Sequence, residues 1–222
     1  LLGGYAFLLS ARNGLGLFPS LFIAVLVAGA AGFVFDRLVF KKLRQHKTSN
    51  LVSFVASLGI FTIVQALVAI FFSSDFHTLS FLKANEKVFS LGGAAITTTQ
   101  LAIILVSLVV FLGVVLMLKK TNFGRAIRAI SDDLEVAKIM GVNTDKILSG
   151  LFFIGSGLAG LAGALVSLDI GIQPTSGLFF ILVAAIASII GGIGNISGGV
   201  LGALLLGFVE NFGIWKISSE WK

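Results

Sequence analysis

The fold is decided by the stretch "GRAIRAISDDLEVAKIMGV" at residues 124–142, where charged side chains interrupt an otherwise apolar part of the chain. Its charged residues are Arg125, Arg128, Asp132, Asp133, Glu135 and Lys138. The flanking segments 100–118 and 147–168 contain no charged residue. Each is close to the roughly 20 apolar residues that a helix needs to cross a bilayer. The pattern therefore predicts two membrane helices joined by a charged loop outside the membrane.

The composition agrees with a membrane protein. Of the 222 residues, 57% are hydrophobic and only 12% are charged, whereas soluble domains carry about 25% charged residues. The 27 glycines are typical of closely packed membrane helices. Cysteine is absent, which excludes disulfide scaffolds and thiolate metal sites. We expect an all-α integral membrane protein, a polytopic bundle of transmembrane helices.

Six segments are apolar enough to be spans: 17–36, 51–72, 100–118, 147–168, 177–193 and 198–216. Residues 1–9 continue an apolar segment without a preceding charged region, so they predict the end of a seventh span rather than a signal peptide. The segment "GGIGNISGG" (191–199) predicts a tight turn or a partly unwound stretch. We expect one transmembrane domain over 1–222, a fragment truncated at both ends.

Basic residues set the orientation. They cluster between the first two spans and again between the third and fourth: Arg37, Lys41, Lys42, Arg44, Lys47; Lys119, Lys120, Arg125, Arg128, Lys138, Lys146. The loop at 73–99 balances its acids and bases instead. By the positive-inside rule, both basic loops are cytoplasmic. No stacking aromatics or groove-reading motif accompany them, so we expect no nucleic-acid partner.

The central loop, residues 119–146, has an amphipathic pattern. Apolar residues follow one another in steps of 4, 3, 4 and 3: Phe123, Ile127, Ile130, Leu134, Ala137. That period predicts a helical face. Arg128 and Asp132 stand at the favourable i,i+4 spacing on the other side.

Capping signals divide this run into two short helices. Asp132 is predicted as the N-cap of the second one, with Glu135 three residues later completing a capping box. Gly141 is placed to end that helix. Asn143 or Thr144 would cap the next span.

Two interpretations of this surface remain. Amphipathic loops often lie at the membrane interface, but their polar faces are then mostly Lys and Arg. Here acids and bases are mixed, and Ile139 lies among the charges. The pattern favours docking to another protein.

At these residues the chain resembles a known family. "TNFGRAIRAISDDLEVAKIMGVNTDKI" (121–147) is similar to the cytoplasmic loop of permease subunits in bacterial ABC importers for branched-chain amino acids, especially the H-type subunit. "EVAKIMG" (135–141) resembles the EAAxxxG core of the importer coupling loop at Glu135, Ala137 and Gly141. The Ile-x-Leu-Pro that often follows is absent, as is usual in this family. Similarity extends to "LGGYAFLL" near the start, "IQPTSG" (172–177) and "IIGGIGNISGGVLGALLLGFVE" (189–210).

The resemblance implies a multi-pass permease in the bacterial cytoplasmic (inner) membrane. Its partners would be ABC ATPase subunits, a second permease subunit in a homo- or heterodimer, a periplasmic or lipid-anchored substrate-binding protein, and the lipid bilayer. The coupling residues carried over are Gly124, Arg125, Arg128, Asp132, Glu135, Ala137 and Gly141. The chain has no GxxxxGK[ST] phosphate loop. We therefore expect no enzyme, catalytic residue, cofactor or metal, and ATP hydrolysis on a separate subunit.

Polar residues within spans are the pathway-lining predictions: Thr62, Gln65, Glu210 and Asn211. An ionisable group in a span usually faces the bundle interior, although Glu210 also fits the outer end of its helix, near headgroup level. Thr62 and Gln65 would line the path or bond to neighbouring helices. His46 and His77 have no partners at metal-binding or catalytic spacing and are interpreted as solvated.

Small residues recur at every fourth position in the fourth span, at Gly155, Ala159 and Gly163. Such spacing lets helix backbones approach closely, so we interpret these residues as a packing face, with pore lining or a hinge as the alternative.

Other transport classes remain open. The same architecture would import urea, short amides or other small amino acids, since specificity in such systems rests largely on the binding protein. A stand-alone secondary transporter would need intramembrane ion-coupling residues, and only Glu210 fits that role.

Overall fold

The computed structural model of the chain describes residues 1–46, 48–72, 75–78, 88–91 and 94–216. The α-helices in these ranges are α1 (Leu2–Arg12), α2 (Leu17–Phe35), α3 (Lys41–Gln45), α4 (Asn50–Phe72), α5 (Thr98–Lys120), α6 (Asn122–Asp132), α7 (Leu134–Ile139), α8 (Thr144–Asp169), α9 (Ser176–Gly191) and α10 (Ile196–Lys216). A π-helical turn, Asp36–Phe40, joins α2 to α3. The all-α membrane fold is confirmed. The pattern had not indicated the short antiparallel strands β1 (Val88–Leu91) and β2 (Ala94–Thr97).

Five helices of the described part are long and apolar enough to cross a membrane: Leu17–Gln45, Leu51–Phe72, Thr98–Lys120, Thr144–Asp169 and Ile196–Gly213. The expected span at 177–193 corresponds to α9, a shorter apolar helix that is not one of these five. The 16 residues of α9 extend about 24 Å, less than the roughly 30 Å of a bilayer core. It ends because Gly192 has a φ of +88°. The segment 191–199 accordingly contains a tight turn at 192–195, and Asn195 accepts from the N–H of Gly198 at 3.1 Å where α10 begins.

The described helices fall into two compact units, Leu1–Pro174 and Thr175–Lys222. In the first unit α2 and α8 form the most extensive helix pair, and α1 packs on both. Its core consists of Tyr5, Phe7, Leu8, Ala11, Leu21, Ala24, Val68, Ala164, Leu165, Leu168 and Ile172. In the second unit α9 packs against α10. A single truncated domain over 1–222 stays a prediction.

Small residues bring the backbones of the first unit together. A Cβ added to Gly160 would overlap with the Cβ of Ala28, and one added to Gly3 would overlap with the Cα of Gly160. Among the described residues, by contrast, nothing lies within 4 Å of a Cβ built on Gly155, and Ala159 is exposed. The packing prediction therefore holds at Gly163, whose added Cβ would lie 3.6 Å from the backbone of Gly4, but not at Gly155 or Ala159, because α8 presents Gly160 instead to α1 and α2.

Three spans, α4, α5 and α10, are scarcely covered by the described part of the chain. Of their most apolar segments, 6% is buried in Leu51–Phe72, 0% in Thr98–Lys120 and 6% in Ile196–Gly213. Large exposed apolar surfaces of this kind mark contact with lipid or with another subunit. The start of α5 is itself firmly set, since Thr97 and Gln100 form a capping box.

Candidate functional site

The central loop consists of α6 and α7, and a side-chain cap begins each helix within and after it. The hydroxyl of Thr121 accepts from the N–H of Gly124 at 3.0 Å where α6 starts. Asp133 accepts from the N–H groups of Glu135 and Val136 at 2.8 and 3.1 Å, where α7 starts. These caps satisfy donors that have no partner within the helix. The prediction of two short helices is confirmed.

The N-cap of α8 is Asn143, one of the two residues, Asn143 and Thr144, that the sequence offered for this role. The side chain of Asn143 accepts from the N–H of Lys146 at 3.2 Å. The chain therefore turns directly from α7 into the fourth span with its first helical donors satisfied.

The predicted cap at Asp132 is wrong. Asp132 is the last residue of α6, and Asp133 is the N-cap of α7. An N-cap needs extended backbone, which Asp133 has, with φ −155° and ψ 115°. The third residue after Asp133 is Val136, so a capping box is not formed. Glu135 instead lies in the first turn of α7, where a negative charge suits the helix dipole.

Gly141 ends α7, as predicted. Its φ is +82°, a conformation that side-chain-bearing residues adopt at a cost. The N–H of Gly141 bonds to the carbonyl of Lys138, and that of Val142 to the carbonyl of Ala137, both at 3.0 Å. This pair of bonds is the Schellman motif, which satisfies the last carbonyls of a helix. Ala137 itself is 3% exposed, so α7 is held against its own chain at this position.

Leu118, in the last turn of α5, is the point where the central loop is fixed to a span. Gly124 is buried there, and a Cβ on it would overlap with the main chain of Leu118. Arg128 donates to the carbonyl of Leu118, and Arg125 donates to the side chain of Asn122. Arg128 therefore binds a helix end, where carbonyls lack partners and a cation is favoured, rather than the i,i+4 carboxylate of Asp132.

The apolar residues of the loop divide between two faces. The predicted face is partly covered by the chain: Phe123, Ile127 and Ile130 are half-buried, Ala137 is buried and Leu134 is exposed. A second group, which we call the α7 surface, consists of Val136, Ile139 and Met140, which are 53%, 83% and 79% exposed. Exposed apolar groups with a charged rim mark interaction sites.

The predicted pathway residues are placed separately. Thr62 donates to the carbonyl of Leu58 in its own helix at 2.9 Å, and Gln65 is half-buried, both in the first unit. Glu210 and Asn211 are exposed in α10 of the second unit. Their role as pathway lining stays a prediction.

His77 is not the solvated loop residue that the sequence indicated. Its backbone exchanges two hydrogen bonds of 3.0 Å with Ile172. Its Nε2 lies 2.9 Å from the carbonyl of Phe72, and its Nδ1 lies 3.4 Å from a guanidinium nitrogen of Arg12. Arg12 can only donate, so Nδ1 accepts and Nε2 carries the proton. Ile172 is too distant along the chain for spacing to have shown the link.

Asp36 belongs to a second cluster that the sequence analysis missed. Its side chain is 0% exposed and accepts from Arg44 at 2.7 Å and from the hydroxyl of Ser149 at 2.5 Å. A half-exposed ion pair of 3.4 Å between Lys41 and Asp145 joins the same segments. The available signal was the carboxylate itself, at the end of the otherwise uncharged segment 17–36.

The whole chain, residues 1–222, matches the family described as "Branched-chain amino acid transport system / permease component". It is 30% identical to the high-affinity branched-chain amino acid transport system permease protein BraD of Pseudomonas aeruginosa, covering 98% of this chain and 73% of that protein. Against the corresponding permease protein LivH of Escherichia coli, identity is 30% over 90% of this chain and 65% of that protein.

A similarity over a shorter part of the chain extends to a permease for sugar import. The fructose import permease protein FrcC of Rhizobium meliloti is 31% identical over 69% of this chain and 46% of its own length. No solved structure matches the chain.

Proposed function

The chain belongs to the family of branched-chain amino acid transport system permease components, and we propose that it forms the membrane path of an ATP-driven importer for these amino acids. It would work in a bacterial cytoplasmic membrane with a second permease subunit, a substrate-binding protein on the outer side and ATPase subunits on the inner side. ATP hydrolysis would belong to those separate subunits. The chain spans 73% of BraD and 65% of LivH in length, and the importer activity, its substrates and its partners are proposals.

The observation that carries the proposal is the α7 surface on a loop that is capped at both ends. Val136, Ile139 and Met140 are exposed next to mixed charges. A groove on the ATPase would receive this surface, and its closure on ATP would push α6 and α7 as a rigid body. Arg128 would carry the displacement to α5, and the turn at Asn143 would carry it to α8.

The geometry also favours a protein partner over the membrane interface. An interfacial helix lays its continuous apolar face into the headgroup region. In the central loop that face is already turned partly toward the chain, with Ala137 buried. The most exposed apolar residues are the three of the α7 surface, which form a small area suited to one pocket of a partner.

The coupling role is tested by Ile139→Asp, with Ala129→Asp as the matched control, because Ala129 is exposed on α6 and lies outside the α7 surface. A buried charge in a docked pocket costs several kcal/mol. Ile139→Asp should therefore reduce the ATPase co-purified with the permease complex by at least about tenfold, the effect typical of an interface hot spot. Equal recovery of the ATPase with both variants would contradict docking through α7.

The substrate is tested separately in proteoliposomes that hold the complete complex with its binding protein. ATP-dependent uptake of leucine is compared with uptake of urea. We expect leucine uptake. Urea uptake without leucine uptake would contradict the proposed substrate but not the proposed ATP-driven mechanism. Flux driven by an ion gradient through the permease alone would overturn the mechanism.

A further inference from the structure

We propose that Asp36, Arg44 and Ser149 form a polar clamp that makes the first long span and the cytoplasmic base of α8 move as one body. The proposal rests on the function above, because only a loop pushed by an ATPase supplies the displacement that the clamp would carry. The three residues are positioning residues: they would set the register of the helices that transmit the movement.

The clamp joins parts of the chain that are distant in sequence. The Ser149 hydroxyl donates to Asp36 at 2.5 Å across 113 residues of sequence. The other carboxylate oxygen accepts from Arg44 at 2.7 Å. Asn143 caps α8 less than two turns before Ser149, so the end of the central loop and the clamp lie on one continuous piece of helix.

A π-helical turn brings Arg44 to Asp36. Eight α-helical steps of 100° would leave the two side chains about 80° apart around the axis. The turn at Asp36–Phe40 inserts about one extra residue, so the eight steps correspond to seven, and the offset falls to about 20°. Such turns are rare and occur frequently at functional sites. Here the turn allows Asp36 and Arg44, which are eight positions apart in the sequence, to form an ion pair.

A gain in folding stability does not explain why Asp36 and Arg44 form an ion pair at this position. Burying a charged pair costs several kcal/mol per ion, and well-packed apolar residues often serve as well or better. Among the described residues, two buried nitrogens of Arg44, Nε and Nη2, find no hydrogen-bond partner. Its Cζ lies 5.9 Å from the ring centroid of Phe152, a contact of modest strength. A directional bond, by contrast, fixes the position of one helix along another.

The glycine contacts of the interface do not supply that register. Glycines line the approach of α2 to α8, and a Cβ on Gly32 would overlap with the side chain of Ser156. Close contact between small residues has no directional bond, so it resists separation of the helices more than sliding along their axes. The bond from Ser149 to Asp36 opposes this sliding at the end of α8 next to the central loop, where the displacement by the ATPase would be transmitted. Its loss should let α8 move while α2 stays behind.

The structural test measures the distance between α3 and α8 in the assembled complex. Because the chain has no cysteine, Lys42→Cys and Lys146→Cys provide exposed spin-label sites on α3 and α8, outside the clamp and outside the ion pair of Lys41 with Asp145. We expect one narrow distance distribution, the same with and without ATP. Ser149→Ala should broaden it, while Ser167→Ala should leave it narrow, since the described partner of the Ser167 hydroxyl is the carbonyl of Ala164 in its own helix. A distribution that changes with ATP, or that Ser149→Ala leaves narrow, would overturn the clamp.

The functional test measures leucine imported per ATP hydrolysed, with the labelling sites restored. Ser149→Ala should lower this ratio by about tenfold while ATP hydrolysis continues, a coupling loss of about 1.4 kcal/mol. Ser149→Thr, which keeps a hydroxyl, should recover it, and Ser167→Ala should match the unaltered protein. A normal ratio in Ser149→Ala overturns the clamp. A complex of unaltered protein that imports nothing overturns the proposed function instead, and the spin-label distances still decide on the clamp.

Discussion

The guanidinium of Arg128 donates a hydrogen bond to the main-chain carbonyl of Leu118, ten residues earlier in the chain. Gly124 lies against the same residue so closely that a Cβ would overlap with its backbone. The first helix of the central loop is therefore fixed to the end of α5 by a bond and by a close approach. Force on the loop would reach this span at Leu118, and the two contacts give separate predictions.

Arg128→Glu should uncouple the loop from α5, because a carboxylate cannot donate to the Leu118 carbonyl and is repelled by the negative end of the helix. We expect ATP-dependent uptake to fall by about tenfold, as for loss of a charged hydrogen bond of 1.5–3 kcal/mol, with unchanged membrane insertion. Arg125→Glu is the control for the bond to Leu118, because the partner of Arg125 among the described residues is Asn122 of the same helix. If Arg125→Glu reduces uptake more, both arginines act through the partner protein instead.

Gly124→Ala should displace α6 from the end of α5, because the new methyl group meets main-chain atoms that cannot rotate away. Overpacking of this kind costs about 1–3 kcal/mol. We expect reduced uptake at normal expression. Gly113→Ala is the control on α5, since no described atom lies within 4 Å of its added Cβ. Equal uptake by the two variants would show that the approach at Leu118 is not required.

Asp133→Ala should loosen α7, whereas Asp132→Ala should not, because only Asp133 caps the helix. Losing an N-cap costs about 1 kcal/mol, which raises the frayed population about fivefold. Limited trypsin digestion of inside-out vesicles should then cut after Lys138 correspondingly faster. Asp133→Asn, which keeps an acceptor, should restore the slow rate. Faster cutting in Asp132→Ala would show instead that Asp132 is the N-cap, as the sequence predicted.

Gly171→Ala should destabilise the end of the first unit opposite the central loop. Gly171 has a φ of +87°, and a Cβ there would lie 2.8 Å from the carbonyl of His77. The substitution thus combines backbone strain of about 1–2 kcal/mol with disruption of the bridge between His77 and Ile172.

Gly14→Ala is the control that separates these two effects. Gly14 has a φ of +79°, and among the described residues nothing lies near its added Cβ. Strain alone should lower the thermal midpoint of the purified complex by about 2–4 °C per kcal/mol. Gly171→Ala should lower it by several times that amount. Similar shifts of the thermal midpoint in both variants would mean that disruption of the bridge between His77 and Ile172 does not lower the stability.

The correct and incorrect predictions in the central loop have a common explanation. Two short helices and the end at Gly141 follow from periodicity and from the conformational freedom of glycine, which act within a few residues. The cap moved from Asp132 to Asp133 because both are good N-caps, and only the path of the chain decides which one is extended. The α7 surface was indicated by Ile139 alone, since exposure depends on what covers each side.

A multi-pass α-helical membrane protein, its most apolar spans and its charged central loop could all be predicted from the amino-acid sequence. They follow from the length of apolar runs against the thickness of a bilayer and from the placement of basic residues. The bond of Arg128 to Leu118 and that of Ser149 to Asp36 could not be predicted and depend on how the helices pack. Side chains meet across helices only when crossing, rotation and register agree, and in this protein glycine contacts allow the close approach while one π-helical turn sets the rotation that brings Arg44 to Asp36.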